Sequence, residues 1–162
     1  MNTASPDAQA ARVWFRFLRL EARIRVAVAA RLKQVGLSIP QCDVLTTLTE
    51  REGVSQQELA AHLYVTKGNI SGLIDRLEAA ELVERRPIEG DRRSYAICLT
   101  QAGRRAAEAG IAIQRAFVAD TFGRMPAADL VTLESLLLRL RDGVRQTDNQ
   151  PDEAAEPSRQ AG

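Results

Sequence analysis

At 162 residues, with 45% hydrophobic residues, 27% charged residues and a formal net charge of +1, the chain has the composition of an ordinary globular protein able to bury its own core. No run of about 18 apolar residues is present to cross a membrane. The opening MNTASPDAQA lacks the basic-then-apolar order of a secretory signal, so a cytoplasmic location is expected. Two widely separated cysteines, Cys42 and Cys98, and one histidine, His62, exclude a cysteine zinc site, a disulfide framework and a His-rich metal site. No catalytic pair or glycine-rich phosphate loop stands at a usable spacing, so neither an enzyme nor a cofactor is expected.

In chain order, Val13, Phe17, Leu20, Ile24, Val28 and Leu32 recur at helical spacing and predict a helix over 8–35, before Gly36. Pro40 opens a second helix, with Val44, Leu45 and Leu48 on one face, ending near Gly53. Ser55 and Glu58 have the spacing of a capping box, and the helix they start runs to about Leu63. Thr66 is an N-cap residue for a further helix over 67–79, in which Ile70, Leu73, Ile74 and Leu77 form the buried stripe. Two short helices about three residues apart have the spacing of a helix-turn-helix.

Leu82 to Pro87 and Ser94 to Leu99 read as two strands joined through Gly90. On the second, Tyr95, Ile97 and Leu99 are expected to anchor the hairpin to the core, and Cys98 to face outward. Thr100 caps a helix through about Phe122, and Pro126 starts a last one with Leu130, Leu133, Leu137 and Leu140 in a stripe. From residue 146 the chain loses periodicity and is expected to be a disordered tail, carrying net charge −3. The remainder is therefore at +4, and residues 85–105 alone carry six arginines against two acids.

Opposite its apolar stripe, the 67–79 helix shows Gly68, Ser71, Gly72 and Asp75, flanked by Lys67, Asn69 and Arg76. Two glycines in a helix cost roughly 1 kcal/mol each, which a solvated surface does not repay but a groove floor does. Lys67, Asn69 and Ser71 suit base edges and phosphates near a helix N-terminus. Helix, helix and an arginine-tipped hairpin describe a winged helix. An arginine at the wing tip gains from the potential of a narrow minor groove, and Asp91 can hold Arg93 in orientation through a bidentate pair. Arg85 and Arg86 alternate to opposite faces of their strand.

Residues 54–105 resemble the winged helix of MarR-type bacterial transcriptional regulators. The resemblance rests on S-x-x-E-L-A from Ser55, T-x-x-N-x-S-x-x-I-D-R-L-E from Thr66, L-V-E-R-R from Leu82, D-x-R from Asp91 and L-T-x-x-G-R from Leu99. It implies a mainly α fold with a small β-hairpin wing: a domain over 1–145, a DNA-binding part at 40–99, and dimerisation helices at 8–35 and 100–144. It further implies a homodimer on a pseudo-palindromic operator in double-stranded DNA. Ser55, Thr66, Lys67, Asn69, Ser71, Arg76, Asp91, Arg92 and Arg93 are the candidate DNA contacts, with Arg93 in the minor groove, Asp91 bracing it and Arg92 on the backbone. Glu81 departs from the family pattern, which has glycine at the end of the recognition helix.

Many relatives release DNA on binding a small aromatic or phenolic anion. By that resemblance Trp14, Arg16, Phe17, Cys42, Asp43 and Arg115 are the candidate ligand-binding residues of a repressor. Two alternatives stand beside it: a thiol-redox switch, for which Cys42 near a helix start is the candidate because the dipole would lower its pKa, and a winged helix that binds protein.

Overall fold

The computed structural model describes residues 5–88 and 91–148, leaving out the side chains of residues 91–93 and 148. Six helices carry most of the described residues: α1 (Pro6–Leu32), α2 (Ile39–Glu50), α3 (Gln56–His62), α4 (Lys67–Ala79), α5 (Gln101–Asp120) and α6 (Ala127–Asp148). Three strands, β1 (Val54–Ser55), β2 (Val83–Ile88) and β3 (Asp91–Leu99), form one antiparallel sheet in the order β1-β3-β2. The fold is therefore mainly α with a small β wing, as expected. The chain divides into two compact units, Met1–Phe117 and Val118–Gly162.

Helix starts follow the local chemistry of their caps. Ser38 accepts from the Gln41 backbone N–H at 3.4 Å, and the Gln41 side chain accepts from the Ser38 N–H at 2.9 Å. This capping box puts the start of α2 at Ile39, with Pro40 in its first turn. Ser55 and Glu58 form the second box, at 3.2 and 2.7 Å. Thr66 caps α4 through the Asn69 N–H at 3.3 Å. The first helix ends in a short 3-10 turn over Lys33–Val35, and α2 stops at Glu50, short of Gly53. At the other end of the chain α6 extends to Asp148, past the expected boundary at 146, and Pro126 stands just before its first residue. Residues 149–162 of the expected tail lie outside the described residues.

The core of the first unit joins α1, α2, α3, α4, the sheet and α5 through Leu32, Val44, Leu45, Leu48, Leu59, Ile70, Ile74, Leu77, Ile97, Leu99 and Ala107, all essentially without solvent exposure. The ladder runs Val83↔Leu99, Arg85↔Ile97 and Pro87↔Tyr95, with an irregularity between Pro87 and Ile88. The third strand, β1, pairs Val54 with Ile97. At two residues it is too short for a period-two signal, which is why sequence reading misses it.

Two expectations for β3 are corrected. Tyr95 is half exposed rather than buried with Ile97 and Leu99. Cys98, expected to face solvent, is only 5% exposed. Its face is the one with Glu84 opposite it in register, and Arg86 and Arg104 lie near enough to interact with the thiol. Arg86 pairs with Glu84 at 2.5 Å and Arg104 with Glu52 at 2.7 Å. Long charged side chains held in such pairs cover a small thiol with their aliphatic stems.

The join between α4, β2 and α5 centres on one peptide. Glu81 takes φ +57, so the helix ends as the family pattern does, but with glutamate in the left-handed position. The Leu82 N–H donates to the Leu77 carbonyl at 2.9 Å and the Glu81 N–H to the Glu78 carbonyl at 2.9 Å, both bonds of a Schellman motif. The Leu82 carbonyl then accepts the Thr100 N–H at 3.2 Å, while the Thr100 hydroxyl donates to the Glu81 carbonyl at 2.6 Å. The first turn of α5 crosses so close that a Cβ on Gly103 would stand 1.9 Å from the Leu82 oxygen. Tyr64, between α3 and α4, repeats the cap with φ +54 and a Val65 N–H to Ala60 carbonyl bond of 3.0 Å.

Opposite outcomes are expected from two substitutions at this join. Glu81→Gly relieves a left-handed residue and raises stability by about 0.5–1 kcal/mol after the added unfolded-state entropy. Gly103→Ala, despite alanine's better helix propensity, costs about 1–3 kcal/mol or more through overpacking against backbone. Thermal or urea unfolding of the two variants measures both.

Candidate nucleic-acid interface

The α4 helix presents the face expected of it. Ile70, Leu73, Ile74 and Leu77 are buried, whereas Lys67, Gly68, Asn69, Asp75 and Arg76 are exposed and Ser71 and Gly72 half-exposed. Its glycines differ in kind from those of α5. Gly103 is needed for the Leu82 contact, and a Cβ on Gly110 would meet the Cys42 Sγ at 2.6 Å. A Cβ on Gly68 would meet nothing within 4 Å, and one on Gly72 only the end of Arg76, at 3.7 Å. Nothing inside the described molecule calls for glycine at either α4 position. Their helix-propensity cost is not offset by any packing within the described molecule.

The start of α4 borders a cleft of about 250 Å³ lined by Ser55, Gln56, Gln57, Lys67, Arg85, Ser94 and Tyr95. It brings two of the candidate contacts, Ser55 and Lys67, together with the base of the wing. The Ser55 hydroxyl is already committed to its cap, accepting from the Glu58 N–H and donating to the Glu58 carboxylate at 2.8 Å. The Ser55 backbone N–H, and after it the Ser55 hydroxyl, donate to the Glu58 carboxylate and hold it below the usual range. The Thr66 oxygen is engaged in its own cap. Gln57 and Ser94 were not singled out from sequence, since isolated polar residues carry no spacing signal until the fold gathers them. Asp91, Arg92 and Arg93 belong to β3 by backbone, and their side-chain roles lie outside the described residues.

Arg85 and Arg86 do point to opposite faces of β2. Arg86 binds Glu84, while Arg85 reaches Asp75 and Glu78 on α4. Asp75, counted on the exposed face of α4, is thus an ion-pair partner of the wing.

The candidate ligand residues are not assembled by this chain alone. Asp43 is half-buried on α2, its carboxyl raised by desolvation and partly restored by the charge of Arg25 on α1. Phe17 and Trp14 lie 8 and 11 residues before Arg25 on the same helix, about 12 and 16 Å along its axis. Trp14, Arg16, Phe17 and Arg115 are all solvent-exposed. Cys42 is completely buried, and burial followed by the Asp43 charge pushes its thiol up to about 11. The expected lowering by the α2 dipole is corrected: the thiol faces Gly110 of α5 in the core rather than the solvent at the helix end.

Fold and α4 surface together define a winged-helix DNA-binding protein. A family model described as MarR family matches residues 37–95. The HTH-type transcriptional repressor Rv2887 of Mycobacterium tuberculosis is 32% identical over 122 residues, covering 75% of this chain and 88% of its own. The transcriptional activatory protein BadR of Rhodopseudomonas palustris is 29% identical over 142 residues, covering 85% and 81%. Among solved structures, Rv2887 in complex with salicylic acid aligns with a TM-score of 0.62 at 28% identity, over 86% of this chain and 99% of that one. The S. aureus MepR–DNA complex aligns at 0.75 and 20% identity, over 80% and 96%, and supports the fold. The chain belongs to the MarR family and is a DNA-binding transcriptional regulator.

Neither cysteine is placed to act as a rapid thiol sensor. Cys98 is buried, and the Cys42 thiol, with a pKa near 11, is ionised to only about one part in a thousand at pH 8. Both thiols are expected to resist iodoacetamide in the native protein and to react promptly in guanidinium; mass spectrometry of the alkylated chain gives the count.

Proposed function

We propose that the protein is a cytoplasmic homodimeric repressor that binds a pseudo-palindromic operator through α4 and the wing and leaves it on binding a small aromatic acid. The observation that carries DNA recognition is the pair of glycines on α4 where a side chain would meet nothing (Gly68) or only the flexible end of Arg76 (Gly72). With Lys67, Asn69, Ser71 and Arg76 around them, and Thr66 at the helix start, that face suits a major-groove floor and its phosphates. Arg93, braced by Asp91, serves the minor groove, and Arg92 the backbone; Ser55 contributes at the edge of the cleft.

A second copy is supported by uncovered apolar side chains at both ends of the chain. In α1, Val13, Trp14, Phe15, Phe17, Leu18 and Leu20 are exposed. Along α6 and the turn before it, a mainly apolar cleft of about 450 Å³ is lined by Phe122, Leu130, Leu133, Leu137 and Leu138, with Glu134 and Arg141 beside them. We assign 8–35 and 100–144 to dimerisation and 40–99 to DNA binding within a domain over 1–145, and two α4 helices then match two half-sites. Ligand release is supported by the salicylic acid complex of Rv2887, with Trp14, Arg16, Phe17, Asp43 and Arg115 as lining and Cys42 behind them. BadR, named an activator, keeps activation as the second regulatory sign. The burial of both thiols weighs against a redox switch.

A duplex carrying the promoter region of the protein's own gene tests the DNA reading. Affinity is expected to fall steeply with salt, and Lys67→Ala to make the slope of log K against log[salt] shallower by about 1, as for one lost phosphate contact. Arg93→Ala is expected to weaken binding at least tenfold, and salt-independent affinity in the wild type would defeat the proposal. Salicylic acid is expected to raise the melting temperature and release the DNA. If it does neither, the aromatic-acid assignment fails.

A further inference from the structure

We propose that Arg85 is a positioning residue which locks the wing to the recognition helix and touches no DNA itself. The inference rests on the DNA-binding reading above. Arg85 stands on β2, and its side chain is 21% exposed. Nη2 donates to the Asp75 Oδ1 at 2.5 Å and Nη1 to the Glu78 Oε2, while the Arg85 backbone N–H donates to the Glu78 Oε1 at 3.3 Å. Gln56 of α3, with its amide oxygen turned to the guanidinium, accepts from Nε at 3.2 Å and from Nη2 at 2.8 Å. One bond from Nε, one from Nη1 and two from Nη2 commit four of the five N–H donors that a guanidinium owns.

Two carboxylates against one cation leave this cluster at net −1, so it presents no positive charge to a phosphate. What it does is mechanical. Asp75 and Glu78 are three residues apart on α4, on one side of successive turns. Gln56 belongs to the first residue position of α3, and Arg85 to the strand that leads to the wing tip. One planar group thus ties together three elements that face the duplex. Without it the wing keeps its ladder to β3 but loses its side-chain brace on α4, with the left-handed residue Glu81 between them. Lysine cannot substitute, because a single ammonium does not span a fork of acceptors in these directions.

Such a role predicts lost discrimination rather than lost charge. The probes are a duplex selected by the wild-type protein from a random-sequence pool and a scrambled duplex of equal length, and the readout is the ratio of their Kd values. Arg85→Gln and Arg85→Lys are expected to lower that ratio at least tenfold without changing the salt slope. Asp75→Asn with Glu78→Gln removes two negative charges, which favours DNA, yet is expected to lower the ratio as well, because Arg85 loses its anchors. This surface variant decides the matter if Arg85→Gln does not fold. A slope shallower by about 1 in Arg85→Gln, the mark of one phosphate contact, overturns the proposal. So does an unchanged or raised ratio in the Asp75→Asn, Glu78→Gln variant. A wild type that selects no duplex sinks the DNA reading itself, whereas one that selects a duplex while the variants discriminate as well sinks this inference alone.

Discussion

The peptide at Leu82 is where the winged helix is put together. Its N–H closes the end of α4, its carbonyl receives the first free N–H of the post-wing segment, and the backbone of α5 passes against its oxygen where Gly103 has no side chain. Three elements therefore share one short stretch of backbone, joined by hydrogen bonds as well as by the apolar core. Everything that faces outward, from the polar strip of α4 to the strand that leads to the wing, inherits its direction from that join. The hydrophobic core supplies most of the favourable free energy, but it is tolerant of small shifts. Backbone bonds of fixed length are not, and they are what make the reading surface a defined shape.

The glycines divide along the same line. Gly103 and Gly110 are forced by the inside of the protein: one by a carbonyl, the other by the buried Sγ of Cys42. Gly68 and Gly72 answer to nothing within the described molecule. In a helix that otherwise packs a regular apolar stripe, that contrast separates glycines the fold requires from glycines it does not, and the latter support the proposed contact face. It is a stronger argument than exposure, since many exposed residues do nothing. It is also the argument that composition could only anticipate, because a glycine's reason for being there is visible only once its neighbours are in place.

Much of the architecture was legible from local chemistry. The box at Ser55 and Glu58, the cap at Thr66 and the stripe from Ile70 to Leu77 each depend on residues within a turn or two of one another, and α4 spans the expected residues. What was not legible depends on distant residues. Strand β1 exists because Val54 meets Ile97, forty-odd positions away. Cys98 is buried on a face that alternation alone leaves open. Cys42 gains a high pKa rather than a low one because α5 presses on it at a glycine. Arg85 looked like half of a basic pair, and its partners on α3 and α4 come from elsewhere in the chain. Glu81 lay between: the departure from glycine was visible in sequence, and the structure shows the same left-handed ending borne by glutamate.

The charges of α4 are sorted along its length. Lys67 and the free N–H groups of the first turn make its beginning electropositive, whereas Asp75 and Glu78 toward its end stand beside Arg76 and are bound by Arg85. On the proposed DNA reading, a polyanion is drawn to the beginning of the helix, while the carboxylates toward the other end are taken up in holding the wing.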